Sequence, residues 1–263
     1  MPPDLEQLLD IATSLALGAG QLVTSGRTHA ADQVTVKSTP TDVVTAMDHA
    51  SERFLVAELA RRRPDDGVLG EEGTSREGST GVRWIVDPID GTVNYLYGIP
   101  WYAVSVAAEV DGVVAVGVVH NPANGELFSA VRGGGAWLGA ERLRCSDEDR
   151  LGQALVSTGF GYDADRRREQ AGVAAALLPR VRDLRRMGSA ALDLCQVAAG
   201  RLDAHYEWGL SPWDYAAGAL IAAEAGARVG GLRGAAAGYH SVVAAGPRIF
   251  PTLLSALEEL IPA

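Results

Sequence analysis

The residues best suited to chemistry lie where an apolar, β-rich run meets acid: Trp84-Ile85-Val86 leads into Asp87-Pro88-Ile89-Asp90-Gly91-Thr92. Pro88 lacks a backbone N–H and fixes φ, so the strand is expected to stop there and turn. A turn can fold the carboxylates of Asp87 and Asp90 toward one point. Oxygen-rich clusters of this kind suit a hard divalent cation, and Mg²⁺ typically binds through a few carboxylates, waters and substrate phosphate. Gly91 lets a backbone approach a ligand closely. The amides after it can cradle a phosphate if they open a helix or form an anion nest. An acidic surface turn satisfies the same spacing, so the decision falls to the other carboxylates.

Four further acidic sites matter. Gly70-Glu71-Glu72-Gly73 follows a short apolar strand and places its glutamates in a loop, where solvated charge is the simplest reading. Ser211-Pro212-Trp213-Asp214 opens an alanine-rich helix, with Ser211 as N-cap, Pro212 at N1 and Asp214 at N3. An acid at N3 stabilises a helix in its own right. The same effects keep it ionised and aim it off the helix N-terminus, as a metal-ligating carboxylate requires. Asp48 stands ahead of a second helical pattern, where it could act as an N-terminal cap, and Glu207 ends a strand.

The elements that must carry these residues show in the periodicity. Leu5, Leu8, Leu9, Ala12, Leu15, Ala16, Ala19 and Leu22 mark an amphipathic opening helix over 4–23. Thr24 to Thr41 reads as a short extended segment and a loop, and the helix after Asp48 ends before Pro64. Short strands are expected at 68–70, 83–86, 102–110, 113–119, 126–131 and 135–138, with Asp111-Gly112 as a hairpin turn. Beyond residue 150, helices at 165–178, 189–199, 212–225 and 249–260 alternate with strands at 154–158, 203–207 and 241–245. Residues 1–150 thus read as an antiparallel-rich half and 151–263 as an α/β half sharing an interface.

Composition narrows the function classes. The 263 residues carry a net charge of −10, which argues against nucleic-acid binding by bulk electrostatics but not against a small phosphorylated substrate. The basic runs Arg61–Arg63, Arg166–Arg168 and Arg182 to Arg186 read as solvated helix faces or ends. Two cysteines, Cys145 and Cys195, provide neither a disulfide framework nor a zinc site and fit a reducing compartment. No basic leader is evident and no apolar run approaches the roughly 20 residues that span a bilayer, so a cytoplasmic enzyme without membrane association is expected.

Taken together, Asp87-Pro88-Ile89-Asp90-Gly91-Thr92, the upstream Gly70-Glu71-Glu72 and the downstream Trp213-Asp214-Tyr215-Ala216-Ala217-Gly218 resemble the inositol monophosphatase family of metal-dependent sugar phosphatases. Val36-Lys37-Ser38-Thr39-Pro40-Thr41-Asp42 with Val44–Asp48, Gly188–Asp193 and Ala204–Glu207 extend the resemblance over nearly the whole chain. It implies an α-β-α-β-α layered sandwich with the active site between the halves. It also implies two to three Mg²⁺ per subunit. Glu71, Asp87 and the Ile89 carbonyl would hold the first ion and Asp87, Asp90 and Asp214 the second, with Asp87 shared and a weaker third ion near Glu71. By the same resemblance Thr92, hydrogen-bonded to Asp48 and assisted by Glu71, orients the attacking water. Gly91 and Thr92 amides bind phosphate, and Lys37 sits on a mobile loop that closes over the metals. Asp90, Gly188, Ser189, Ala190, Glu207 and Asp214 face the substrate.

The implied reaction is hydrolysis of myo-inositol monophosphate, sensitive to lithium, in a homodimer. Histidinol phosphate, fructose 1,6-bisphosphate and 3′-phosphoadenosine 5′-phosphate are alternative substrates of the same chemistry, and bacterial relatives also serve as regulatory partners of the transcription machinery. Departures from the family pattern are few: Val93 and Met47 flank the motifs, and residues 231–239 are short and Gly/Ala-rich, which leaves geometry near the last sheet open.

Overall fold

The computed structural model describes residues 3–30, 34–36 and 43–261, with side chains described outside 28–44. The chain opens with α1 (Leu5–Ala30), β1 (Val34–Val36), β2 (Val43–Thr45) and α2 (Ala46–Arg62). Then come β3 (Gly67–Gly70), β4 (Ser75–Arg76), β5 (Val82–Asp90), α3 (Thr92–Tyr97), β6 (Ala103–Val110), β7 (Val113–Asn121), β8 (Glu126–Val131), β9 (Gly135–Leu138) and β10 (Glu141–Arg142). The remainder is β11 (Leu155–Thr158), α4 (Ala164–Leu177), β12 (Asp183–Arg185), α5 (Ala190–Ala198), β13 (Ala204–Glu207), α6 (Pro212–Glu224), β14 (Arg228–Gly230), β15 (Val242–Ala245) and α7 (Phe250–Leu260).

One sheet runs β10-β9-β8-β7-β6-β5-β3-β4 and a second runs β12-β11-β13-β15-β14. Side-chain alternation stacks them into layers. Val104, Val106 and Ala108 of β6 face a core shared with Leu8, Leu15, Leu55 and Leu59 of α1 and α2. Ala103 and Ala107 point the other way, into a core with α5, α6 and the second sheet. That sheet's outer face packs on Val173 and Leu177 of α4 and on Phe250 and Leu253 of α7. The result is the five-layer α-β-α-β-α sandwich. Because both faces of β6 are covered, it reads as a nearly continuous apolar run.

Local chemistry accounts for the details. Asp111 and Gly112 both take positive φ, 49° and 83°, as a two-residue primed hairpin turn between Val110 and Val113 requires. The opening helix continues to Ala30 instead of yielding to a loop at Thr24, where Thr24 Oγ1 bonds back to the Gly20 carbonyl at 2.9 Å. Over Leu5–Arg27 it is long and apolar enough to cross a bilayer by length and composition alone. Its apolar stripe is nonetheless spent on the protein core: Leu8, Ala12, Leu15, Ala16 and Ala19 are buried against the sheet. Among the described residues, the six strands of two or three residues (β1, β2, β4, β10, β12, β14) and the six-residue helix α3 are too short to leave a periodic signal.

Candidate active site

The site is assembled from one end of each layer, beginning with α2. Asp48, Ser51, Glu52, Leu55 and Leu59 are its buried residues, at the spacing of a helix's inner face. The stripe is apolar at its C-terminal end and polar at its N-terminal end, where it abuts the carboxylate cluster. Asp48 is not the N-cap; that position belongs to Thr45, and Asp48 at N3 completes a capping box. Asp48 Oδ2 accepts from the Thr45 amide at 2.8 Å and hydroxyl at 2.6 Å, while Oδ1 accepts from the Thr92 hydroxyl at 2.9 Å. The Ser51 hydroxyl donates to the Pro88 carbonyl at 3.2 Å. Glu52 accepts from the Glu72 amide at 2.7 Å and from the Thr74 amide and hydroxyl at 3.1 and 2.6 Å, which ties down the loop that carries Glu71.

β5 does not stop at Pro88. Asp87 lies opposite Ser105 and Asp90 opposite Ala103, three steps against two, so one extra residue bulges out of the ladder. The missing N–H of Pro88 falls within this break, where the ladder does not need it. The bulge turns Asp87 and Asp90 to the same end of the sheet, and the Ile89 amide fixes Asp87 by donating to its Oδ1 at 2.9 Å. Gly91 follows at φ 96°, and a Cβ there would stand 3.0 Å from the Gly188 carbonyl and 3.1 Å from that of Trp101. Only glycine allows this approach of the two halves of the chain. Thr92 has one hydroxyl proton and two acceptors in reach, Asp48 Oδ1 at 2.9 Å and the Ile89 carbonyl at 3.0 Å. The carboxylate is the stronger acceptor. Donation to Asp48 leaves the Thr92 oxygen able to accept a proton from a further partner and the Ile89 carbonyl available to a ligand.

The second half closes the site. Asp90 Oδ2 accepts from the Ser189 hydroxyl at 2.6 Å and the Ala191 amide at 2.7 Å, so the N-terminus of α5 holds it. Asn94 of α3 donates to the carbonyls of Trp101 and Met187, both at 2.8 Å, and ties the turn after β5 to the loop before α5. Asp214 sits at N3 of α6, where its Oδ2 accepts from the Ser211 amide at 2.6 Å. One carboxylate oxygen each from Asp87, Asp90 and Asp214 lies within 4.8 Å of the others.

Such crowding raises every proton affinity. Burial pushes Asp87 and Asp214 well above the ordinary carboxylate range, and the neighbouring acids, Glu71 and Asp90 in both cases, push them further. Burial lifts Asp90 to about 6 against the opposing hydrogen bonds from Ser189 and Ala191 and the field of Arg186. Three mutually repelling acids, two buried and Asp214 half-buried, offer only oxygen donors and fit a divalent cation, whose charge would reverse these shifts.

The expected residues converge, with two exceptions. Glu71, Asp87, Ile89, Asp90, Gly91, Thr92 and Asp214 line one cavity of about 290 Å³. Gly188, Ser189, Ala190 and Glu207 line a second, of about 150 Å³, which shares Asp90, Gly91 and Asp214 with the first. Asp48 meets the site through Thr92, and Lys37 lies outside the described residues. Two arginines read from sequence as solvated, Arg166 and Arg186, line the second cavity. The short 231–239 segment bears on the same rim: the Tyr239 carbonyl accepts from the Gly209 amide at 2.6 Å and its hydroxyl accepts from Arg166 at 2.6 Å. Ser51, Glu52 and Asn94 were not singled out from the sequence, and Asp193 entered only as the end of the Gly188–Asp193 segment. For the first two a signal was present, since 48, 51 and 52 continue the helical spacing of Leu55 and Leu59 with polar residues.

Comparison with known proteins accords with this geometry. The inositol monophosphatase family model matches residues 4–261. The chain belongs to that family. It is 50% identical to an inositol-1-monophosphatase of Mycobacterium leprae over 97% of this chain and 94% of the relative. The structure of Mycobacterium tuberculosis SuhB superposes with TM-score 0.85 at 46% identity, covering 98% of each chain. A Pasteurella multocida relative, 40% identical over 97% of both chains, is named Nus factor SuhB. Membership makes this chain a phosphatase of the metal-dependent type, with the Asp87–Asp90–Asp214 cluster as its candidate metal centre.

Proposed function

We propose that the protein is a Mg²⁺-dependent phosphomonoesterase that releases phosphate from myo-inositol monophosphate. The observation that carries this reading is the abutment of two cavities, one built from metal-ligating carboxylates and one ending in Glu207, with Asp90 shared between them. Glu71, Asp87 and the Ile89 carbonyl would hold one ion, and Asp87, Asp90 and Asp214 a second, with a third, weaker ion near Glu71. The chemistry such ions would supply is acidification of a water and neutralisation of phosphoryl charge.

The chain's own groups supply orientation. Asp48 accepts the Thr92 hydroxyl's hydrogen bond, so the Thr92 oxygen is oriented to accept from the attacking water, and Glu71, which lines the same cavity, assists. The Gly91 and Thr92 amides receive phosphate oxygens. Asp90 is held by Ser189 and Ala191 through Oδ2, which fixes the carboxylate where it would meet an ion. Glu207 hydrogen-bonds hydroxyls of the leaving polyol, and a carboxyl group that reads hydroxyls discriminates strongly against analogues lacking them.

The test is phosphate release from inositol 1-phosphate with Mg²⁺ in the wild type and in Asp90→Asn and Asp214→Asn. A loss of at least about 100-fold is expected, since each change removes a ligand charge. Variants as active as the wild type would refute the mechanism, and a wild type that prefers histidinol phosphate or fructose 1,6-bisphosphate by kcat/KM would refute the substrate.

The Pasteurella relative's name supports a second role that does not exclude the first, as a partner of the transcription machinery. A complex with purified elongation factors that survives Asp214→Asn would support it, and the absence of any complex would refute it.

A further inference from the structure

Beneath Glu207 lies a group of polar side chains that the reaction as described does not use. β13 alternates, so His205 and Glu207 point to the same side of the sheet. His205 is fully buried, its Nε2 is 3.7 Å from the Glu207 carboxylate, and its Nδ1 is 3.9 Å from that of Asp193 on α5. Ser157 on the neighbouring strand fixes the ring with a hydrogen bond at 2.9 Å to Nδ1. Asp193 is 1% exposed and lines the same small cavity as Glu207. Its Oδ1 has no hydrogen-bond partner, nor has His205 Nε2; the Trp101 indole approaches Asp193 without meeting hydrogen-bond geometry.

Buried polar atoms in native proteins are normally satisfied, and an orphaned carboxylate oxygen on a cavity-lining residue is costly unless a ligand or water completes it. The cavity adjoins the proposed metal centre, and on the proposed reading it is the pocket that receives the alcohol.

We infer that Asp193 is a second hydroxyl-reading carboxylate of the alcohol pocket, working beside Glu207, and that His205, wedged between them, is the positioning residue that sets their separation. The ligand class is a polyol phosphate with at least two hydroxyls beyond the ester oxygen, one read by each carboxylate. This deepens the phosphomonoesterase reading and rests on it. A purely structural Asp193, stabilising the first turn of α5, would affect folding and all substrates alike.

The experiment compares kcat/KM for a polyol monophosphate with that for phenyl phosphate, which has no hydroxyls. The numerator is whichever of inositol 1-phosphate, glycerol 2-phosphate and fructose 1-phosphate the wild type turns over fastest. A wild type inactive on inositol 1-phosphate thus refutes the substrate assignment while the Asp193 ratio stays readable. Asp193→Ala is expected to lower the ratio roughly 10- to 100-fold, the effect of a hydrogen bond to a charged group. Asp193→Asn, isosteric and the safer variant for folding, is expected to lower it about 10-fold, with the loss in KM more than in kcat. His205→Phe is expected to raise KM for the polyol ester and leave its kcat within about threefold. A ratio within threefold of the wild type in folded Asp193→Asn overturns the inference, as does an equal loss on both substrates.

Discussion

Glu52 offers the sharpest test of how the site is supported, because it touches neither the metal centre nor the alcohol pocket directly. Its two carboxylate oxygens take three donors from the 72–74 backbone and side chain, at 2.6 to 3.1 Å. The fit around it is close: a Cβ on Gly70 would stand 2.6 Å from its Oε2. Glu52→Gln keeps the shape and replaces one acceptor with an NH₂ group. If the remaining oxygen keeps Thr74, the new NH₂ faces the Glu72 N–H, donor against donor. At least one charge-assisted hydrogen bond is lost, about 1.5–3 kcal/mol, which corresponds to a roughly 10- to 150-fold smaller fraction of chains holding Glu71 in place. That range matches the roughly 10- to 100-fold loss of metal affinity usual when a group supporting a ligand is removed. The assay is phosphate release against Mg²⁺ concentration. Half-saturation is expected to rise 10- to 100-fold, with kcat at saturating Mg²⁺ falling by less than about threefold. Ser51→Ala, which breaks one neutral bond at 3.2 Å, is expected to shift half-saturation by less. A folded Glu52→Gln protein with half-saturation within twofold of the wild type would refute the claim that α2 sets the Glu71 loop.

Two other outcomes follow from packing and charge. Gly117 of β7 lets α6 approach so closely that a Cβ there would lie 2.8 Å from the Ala217 carbonyl. Gly117→Ala should push the helix away by roughly half an ångström, cost about 1–3 kcal/mol and lower Tm by roughly 3–10 °C. Mg²⁺ affinity should fall with it, since Asp214 rides on the same helix; Gly172→Ala, on an exposed face of α4 with nothing within 4 Å, should instead be neutral or stabilising. The acid cluster also sets a pH dependence. Asp90 is lifted to about 6 and Glu207 to about 8, both chiefly by burial. The unfolded chain gives up these protons near pH 4 while the folded chain keeps them. Stability in EDTA is therefore expected to fall as pH rises from about 4 to 8, by up to about 1.4 kcal/mol per pH unit for each such group. Mg²⁺ should flatten the slope by favouring the deprotonated ligands, and thermal melts across that range with and without the ion would check it. A melting temperature that rises with pH in EDTA would contradict the burial argument.

What the sequence discloses of this architecture depends on length and periodicity. β6, β7 and the long helices are legible because eight or more residues give a pattern time to repeat, and Asp111-Gly112 names its own turn. The bulge in β5 is not legible: a proline without an N–H is equally at home at a strand's end and in a broken ladder, and only the opposing register of Ser105 and Ala103 distinguishes them. Glu71, Asp87, Asp90 and Asp214 are visible because carboxylates cluster with turn and cap residues in a recognisable order. Asp48 is visible as a cap but not in its position, since the Thr45-x-x-Asp48 box departs from the usual Ser/Thr-x-x-Glu/Gln form. Arg186 is exposed, as the solvated reading of its run implies, and it lines the pocket as well; nothing local marks which arginine of the run does so.

Asp193 shows where a further signal lay. A solvated-face reading applies to charges on helices with a wet side. α5 has none: every residue from Ala190 to Ala198 is buried, because the helix lies in the central layer between two sheets. Its sequence, Ala-Ala-Leu-Asp-Leu-Cys-Gln-Val-Ala, is apolar nearly all round, and a helix of that texture is a core helix. An ionisable residue on such a helix has no route to water except through a cavity. Asp193 and Gln196 are the polar exceptions, and Asp193 is the one that lines the pocket shared with Glu207. The same reasoning applies to His205, placed by strand alternation on the inner side of a covered sheet. In a five-layer sandwich the polar residues of the central layer that line a cavity are thus the ones whose burial calls for a ligand, and on the proposed reading the hydroxyls of a polyol would answer it.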